Sequence, residues 1–331
     1  MEKLLTISIA AYNVEKFIRQ TLDSLMIPEI INDLEIFVID DGGQDNTLSI
    51  AEEYAQKYPD SVFPIHKENG GYGTVFNCAI NLASGKYFKL LDGDDWFDKE
   101  GLISLISILR KTDADVLITN FYKGPDPENL HIRRTAPSAE RAACDISDLK
   151  IVFPVGMWSL VYKTEILRKV GLSLPGKTLY TDQYYCTIPF SEVKTVELCP
   201  ISVYCYRIGN EEQSSSRISR IKHTDEMLKI CRDLSVFAES CKGKDSFDYI
   251  LLRSSVYHLF ALKTILLDDV NSKNRVKLIK YDKQIQEAAP AVYEKAGRVG
   301  NWGKVISIMR TFNYMPYWLI KLIPGGVPNW Q

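Results

Sequence analysis

The sequence is poor in histidine. It has four in 331 residues, and His66, His131, His223 and His258 fall in no metal-ligand spacing. Its seven cysteines (Cys78, Cys144, Cys186, Cys199, Cys205, Cys231 and Cys241) are odd in number and include no Cys-x-x-Cys pair. That leaves no zinc site and no disulfide framework to read, and reduced thiols are expected. No apolar run approaches the roughly 20 residues that a bilayer crossing needs. Met1 to Leu5 lead straight into a strand-like segment, so no signal peptide is read, and a soluble cytoplasmic chain is expected. No Gly-x-Gly-x-x-Gly follows the first strand, as a Rossmann dehydrogenase requires. The loop there is Tyr12-Asn13-Val14-Glu15, which also lacks the glycine-rich, cationic make-up of a nucleotidyltransferase loop. Repeats and low-complexity segments are absent.

Excess positive charge is missing too. The formal net charge is −2, which argues against a generic nucleic-acid binder, and no nucleic-acid partner is expected. The charge is unevenly placed, however. Residues 1–200 hold 20 Lys and Arg against 29 Asp and Glu, whereas residues 201–331 hold 20 against 13. A basic C-terminal portion suits an anionic surface such as a membrane, or simply solvated helix faces.

What is present is a regular alternation. Leu4–Ala11, Leu34–Ile39, Val62–Ile65 and the run from Lys86 to Leu91 read as strands. Glu15–Met26, Asp45–Tyr58 and Thr74–Ala83 read as the helices between them. Such alternation predicts a mostly parallel sheet flanked by helices, with ligand-binding loops at the carboxyl ends of the strands. Tyr12-Asn13, Asp40-Asp41, His66 to Asn69 and Asp92 to Asp95 all fall at that edge.

Beyond lie a helix from Asp98, a strand over 115–122, an irregular insert or β-excursion over 124–148, and a helix from Thr164. A helix then opens at Thr181-Asp182 and runs through Phe190, and two strands follow over 195–198 and 201–206. From about Arg220 the pattern is helical, over roughly 221–241, 246–267 and 271–287. Residues 302–323 mix Trp302, Phe312, Tyr317 and Trp318 with aliphatic side chains and Lys304, Arg310 and Lys321. That is the composition of an interfacial helix pair lying on a membrane. It equally suits a helix packed on its own domain or on a second subunit of a homo-oligomer. The expected domains are 1–219, divided into halves 1–100 and 101–219, and a helical region 220–331.

Leu91-Asp92-Gly93-Asp94-Asp95 places three carboxylates within four residues at the end of a buried strand. Like charges this close raise each other's pKa unless a cation relieves them. Oxygen-only ligands suit Mg²⁺ or Mn²⁺. A solvated acidic turn is the plain alternative.

An ordered set of motifs resembles the family 2 glycosyltransferases of the GT-A fold, of the bacterial polysaccharide-synthesis type. Ile7 to Asn13 is similar to the family's opening strand, and Val38-Ile39-Asp40-Asp41-Gly42-Gly43-Gln44-Asp45 to its second-strand signature, with Gly43 where serine is commoner. Asn69-Gly70-Gly71, Asp92-Gly93-Asp94-Asp95, Thr181-Asp182 and Tyr204-Cys205-Tyr206-Arg207 resemble the segments that follow, so the likeness covers about residues 4–217.

The resemblance implies inverting transfer of a sugar from a nucleoside diphosphate donor to an acceptor hydroxyl. By the family's habits the donor is a UDP-sugar. The acceptor is a glycan or glycolipid of a lipid-linked or growing cell-surface polysaccharide, met in the cytoplasm or on the inner face of the plasma membrane. Asp182 takes the role of general base, with a helix N-cap as its plainer reading, and Thr181 replaces the usual glutamate beside it. Asp94 and Asp92 become the ligands of a divalent metal, Mn²⁺ or Mg²⁺. Asp40 meets the base ring, Ala11 and Tyr12 line its pocket, and Asp92 also reaches the ribose. Lys67, Asn69 and Gly70 are candidates for donor contact. Trp96, Trp158 and Thr181 are candidates for acceptor or sugar contact, with the tryptophans stacking on sugar rings or serving as core residues, and Ser214 to Arg217 for a flap over the diphosphate. The rival reading is a sugar-nucleotide-binding scaffold of the same fold without activity. Intact Asp92, Asp94 and Asp182 argue against it.

Overall fold

In the computed structural model, residues 2–136, 142–151, 154–209, 216–268 and 270–322 are described. The strands are Leu5–Ala11 (β1), Leu34–Asp40 (β2), Val62–His66 (β3), Tyr87–Asp92 (β4), Trp96–Phe97 (β5), Val116–Gly124 (β6), His131–Arg133 (β7), Ala142–Asp145 (β8), Leu160–Lys163 (β9) and Thr195–Arg207 (β10). Among the described residues they form one sheet in the order β3-β2-β1-β4-β9-β6-β10-β5, with β7 on β6 and β8 on β10. The helices of this part are Ile18–Asp23 (α1), Thr47–Lys57 (α2), Tyr72–Leu82 (α3), Lys99–Leu109 (α4), Thr164–Lys169 (α5) and Asp182–Tyr185 (α6). The chain divides into two compact units, Met1–Ile151 with Val155–Gly209 and Val152–Pro154 with Asn210–Gln331.

The half of the sheet carrying β3, β2, β1 and β4 is parallel throughout. Side chains alternate between faces along a strand. Every residue of β2 and six of the seven in β1 are buried, so both faces are covered, as the continuous apolar runs predict. At β9 the sheet turns antiparallel, against both β4 and β6. The insert after β6 resolves into two short strands, β7 and β8, paired to β6 and β10. The two strands expected over 195–206 are one, β10, with register shifts between Cys199 and Ser202 and again before Tyr204. Pro200 lies within that irregular stretch and has no N–H to give the ladder.

Helix ends differ from the expected ones where local chemistry intervenes. The helix expected over 15–26 contracts to α1. That expected from Thr181 to Phe190 is the single turn α6, followed by a 3₁₀ turn Ile188–Ser191 that carries Pro189.

The second unit is helical: Arg217–Lys222 (α7), Thr224–Ser240 (α8), Phe247–Leu267 (α9), Ser272–Ala288 (α10), Pro290–Ala296 (α11), Gly300–Thr311 (α12) and a 3₁₀ stretch Met315–Leu322. By length and composition α9 could cross a membrane, contrary to the sequence reading, but its apolar window is 78% buried inside the fold. It is the core helix of this unit. A buried ionic cluster ties α12 to it. His258 Nε2 lies 2.8 Å from Asp282 Oδ1, Arg310 donates to both Asp282 oxygens, and the Tyr314 hydroxyl donates to Asp282 Oδ2. All seven cysteines are free.

Candidate active site

Register builds the site. Ala11 pairs with Asp40, Ala10 with Asp92 and Asp40 with His66. The carboxyl ends of β4, β1, β2 and β3 therefore finish in one row, with neighbouring strands about 5 Å apart. That row brings Ala11, Tyr12, Asp40 and Asp92 to one edge, as the sequence motifs predict. Gly93 lets the acidic turn fold back on β1. Its N–H donates to Ala10 O at 3.0 Å, and a Cβ there would lie 2.8 Å from the same oxygen.

The acidic cluster is real. Ligand oxygens of Asp92, Asp94 and Asp95 all lie within 4.8 Å of one another. Asp92 Oδ1 is buried with no hydrogen-bond partner. Burial, then the charges of Asp94 and Asp182, push the Asp92 carboxyl up to about 8, against a hydrogen bond from Tyr72 that lowers it. Burial also raises Asp94. A buried, unpartnered carboxylate oxygen facing further carboxylates is what a hard divalent cation satisfies, so these residues fit such an ion.

Asp95 plays a different part. It accepts from the Tyr204 hydroxyl at 2.6 Å and from the Arg207 N–H at 2.7 Å. Arg207 also donates from Nε to Asp94 O at 2.8 Å, and its guanidinium lies 4.7 Å from the centre of the Trp96 ring. Trp96 is buried under that cation and so is a core residue, not a sugar platform. Trp158 is half-buried and stacks on Phe121 at 5.1 Å, with Tyr206 at 4.8 Å.

Asp182 is the first residue of α6, and Thr181 precedes it as N-cap with no side-chain cap bond. Asp182 therefore does not serve as the N-cap. Gln183 Nε2 donates to Asp182 Oδ2 at 2.7 Å and so helps to orient the carboxylate. Thr181 is buried and its hydroxyl is unpartnered. The Tyr72 hydroxyl is held well above its usual pKa by burial and then by Asp92 and Asp182. Sequence reading missed Tyr72. It follows the Gly70-Gly71 turn, but nothing in that spacing says that its ring points at the acids.

Asp40 is buried, accepting from Gly43 N at 2.9 Å and lying 2.7 Å from His66 Nδ1. Each carboxylate oxygen keeps a second lone pair for a ligand. A Cβ at Gly43 would lie 2.6 Å from Asp40 Oδ1, so glycine suits this arrangement. The next residue, Asp41, fastens the glycine loop. It accepts from Lys67 Nζ at 2.5 Å, Gly70 N at 2.9 Å and Gly71 N at 2.7 Å. Lys67 and the Gly70 N–H are thus engaged within the loop, while Asn69 and Tyr12 stand exposed at its rim. Of the expected flap, Ser214 and Ser215 lie outside the described residues. Ser216 caps α7, and Arg217 donates to Leu267 O.

Residues 6–178 match the family model Glycosyl transferase family 2. The chain is 27% identical over 216 residues to EpsJ, an uncharacterized glycosyltransferase of Bacillus subtilis, covering 62% of each protein. It is 27% identical over 219 residues to the poly(ribitol-phosphate) beta-glucosyltransferase of Bacillus spizizenii, covering 64% of this chain and 33% of that one. The match thus spans less than two thirds of the length of either relative. Among solved structures, S. aureus TarS 1–349 superposes with a TM-score of 0.72 at 20% identity, over 95% of this chain and 90% of that one. The same protein in complex with UDP-GlcNAc gives 0.67 over the same shares. The mannosyltransferase PcManGT of Pyrobaculum calidifontis, in complex with GDP-Man and Mn²⁺, gives 0.53 at 16% identity over 96% of this chain and 83% of that one.

Proposed function

As the chain belongs to glycosyl transferase family 2, and is a transferase with the GT-A fold, we propose that it moves a sugar from a UDP-sugar to a hydroxyl of a lipid-linked or growing cell-surface polysaccharide, with inversion. The observation that carries this reading is the buried, unpartnered oxygen of Asp92, beside Asp94 and within the field of Asp182. An acidic base on α6 then lies within the field of the donor-side carboxylates at the strand edge.

Asp182 is the general base. Gln183 orients its carboxylate, which accepts the proton that the acceptor hydroxyl loses as it attacks. Asp94 and Asp92 would hold Mn²⁺ or Mg²⁺. Bound there, such an ion supplies neutralisation of the charge that develops on the departing diphosphate. Ala11, Tyr12 and Asp40 form the nucleoside pocket, and Asp40 accepts from the ring N–H of the base. Asn69, Gly70 and Lys67 shape the donor side of the pocket through Asp41. TarS and PcManGT, whose structures hold UDP-GlcNAc and GDP-Man with Mn²⁺, support a nucleoside diphosphate donor and a metal. The poly(ribitol-phosphate) relative supports a polymeric acceptor.

The C-terminal tract supports work at a membrane face, with the protein peripheral to the cytoplasmic leaflet. Ile308, Phe312, Met315, Trp318 and Leu319 are 57%, 53%, 69%, 46% and 59% exposed. No Asp or Glu follows Glu294 in the sequence, while Lys304 and Lys321 do. An apolar face flanked by cations suits anionic lipid headgroups. Residues 323–331 lie outside the described part.

The test is release of UDP from a panel of UDP-sugars, with wild type and Asp182→Asn. Acceptor-dependent turnover that Asp182→Asn lowers by about 10²–10⁴ supports the reading. Turnover unaffected by that change contradicts it.

A further inference from the structure

The helical unit carries a basic groove that the transferase reading leaves unused. It lies between α8 and α10 and has a volume of about 280 Å³. Asp225, Lys229 and Arg232 line it from α8, and Lys277, Lys280 and Tyr281 from α10. Spacings of three and four place each set on one face of its helix, so the two faces look at each other across the groove.

Four cations therefore meet one carboxylate. Lys277 Nζ is paired with Asp225 Oδ1 at 2.7 Å. Arg232 has only a 3.6 Å approach to Asp233. Lys229 and Lys280 have no carboxylate partner among the described residues, and both are exposed. Cations gathered in a concave wall repel one another and focus a positive field outward. A second observation is independent of charge. Tyr281 is buried, and its hydroxyl has no hydrogen-bond partner. A buried hydroxyl left unpaired is costly unless a ligand or solvent meets it.

We propose that this groove binds a phosphate-bearing anion. Lys229, Arg232 and Lys280 supply the charge, and the Tyr281 hydroxyl donates a hydrogen bond. Two sources present that chemistry: a soluble phosphate chain, and the headgroups of an anionic lipid. The site lies in a different unit from the acidic cluster, and the proposal does not depend on the reading of that cluster.

The test is direct binding by the full chain. Fluorescently labelled inorganic polyphosphate is titrated by anisotropy, and phosphatidylglycerol vesicles are sedimented in parallel. The proteins are wild type, Lys229→Glu/Lys280→Glu, and Lys244→Glu/Lys295→Glu as a control with the same change of net charge. The expected result is a loss on the order of tenfold in polyphosphate affinity in the first pair and little change in the control, since the focused field is local. Vesicle binding without polyphosphate binding, lost in the first pair only, assigns the lipid headgroup as the source. Equal binding by wild type and the groove variant overturns the proposal. So does an equal loss in both pairs, because net charge then explains it.

Discussion

The Tyr204 hydroxyl donates to Asp95 Oδ2 at 2.6 Å and accepts the Asp92 backbone N–H at 3.1 Å. One side chain from β10 thereby holds both ends of the acidic turn that closes β4. The turn's geometry is fixed by the mixed half of the sheet, not by the parallel half that carries it. Removing that hydroxyl leaves the buried Asp95 carboxylate short of a partner. Tyr204→Phe is therefore expected to cost about 1–3 kcal/mol in urea unfolding and to weaken metal-dependent donor binding. An unchanged midpoint would show that the turn holds without it.

Asp41 fastens the glycine loop through Lys67 and two backbone N–H groups. Asp41→Ala removes the carboxylate partner of a part-buried ammonium, which keeps its bonds to Glu68 O and Thr74 Oγ1, and leaves the Gly70 and Gly71 amides without Asp41. Stability should fall by about 1–3 kcal/mol, the range for leaving part-buried donors without their acceptor. In whatever fraction stays folded, KM for the donor should rise more than kcat falls, because the loop shapes binding and not proton transfer. Steady-state kinetics at saturating acceptor read the split.

Lys89 is 0% exposed, and its ammonium donates to Trp158 O at 2.8 Å and Leu160 O at 3.3 Å. Burial lowers its pKa to about 7. Between that value and the ordinary lysine range the unfolded chain binds more protons than the folded one, so stability rises with pH. The cost of the buried charge is in full force below about pH 7 and is relieved as pH climbs toward 10. Lys89→Met removes this dependence. The stability of wild type relative to the variant should grow by up to about 1.4 kcal/mol per pH unit across that window. Urea unfolding at pH 6, 7.5 and 9 checks the slope.

The apolar face of the C-terminal tract predicts that Phe312→Ser/Leu319→Ser sediments less with phosphatidylglycerol vesicles and turns over soluble acceptor unchanged. Equal sedimentation would contradict the membrane reading. A shift in oligomeric state instead would assign the face to a second copy of the chain.

The parallel half of the fold was legible because β1, β2 and β4 are mostly apolar, despite Glu35 and Lys89, and lead into polar residues. That pattern fixed the edge where Asp40 and Asp92 meet. The second half was less so. Pro200 and the shifted register of β10 look like a break between two strands, and β5 has only two residues. Roles set by tertiary contact were not legible at all. Trp96 reads as either a sugar platform or a core residue until Arg207 is seen over it, and nothing in the sequence pairs Lys67 with Asp41. The hydrogen bond from Gln183 to Asp182 likewise has no signal in the sequence.

The central claim is that Asp92 and Asp94 join a divalent ion to a nucleoside diphosphate. Thermal unfolding in the presence of UDP, with and without Mn²⁺, tests it most directly, because a ligand that binds only the folded state raises the midpoint by mass action. Wild type should gain most with UDP and Mn²⁺ together, and Asp94→Ala should gain no more from the pair than from UDP alone. Equal stabilisation of both proteins by UDP with Mn²⁺ would contradict the assignment.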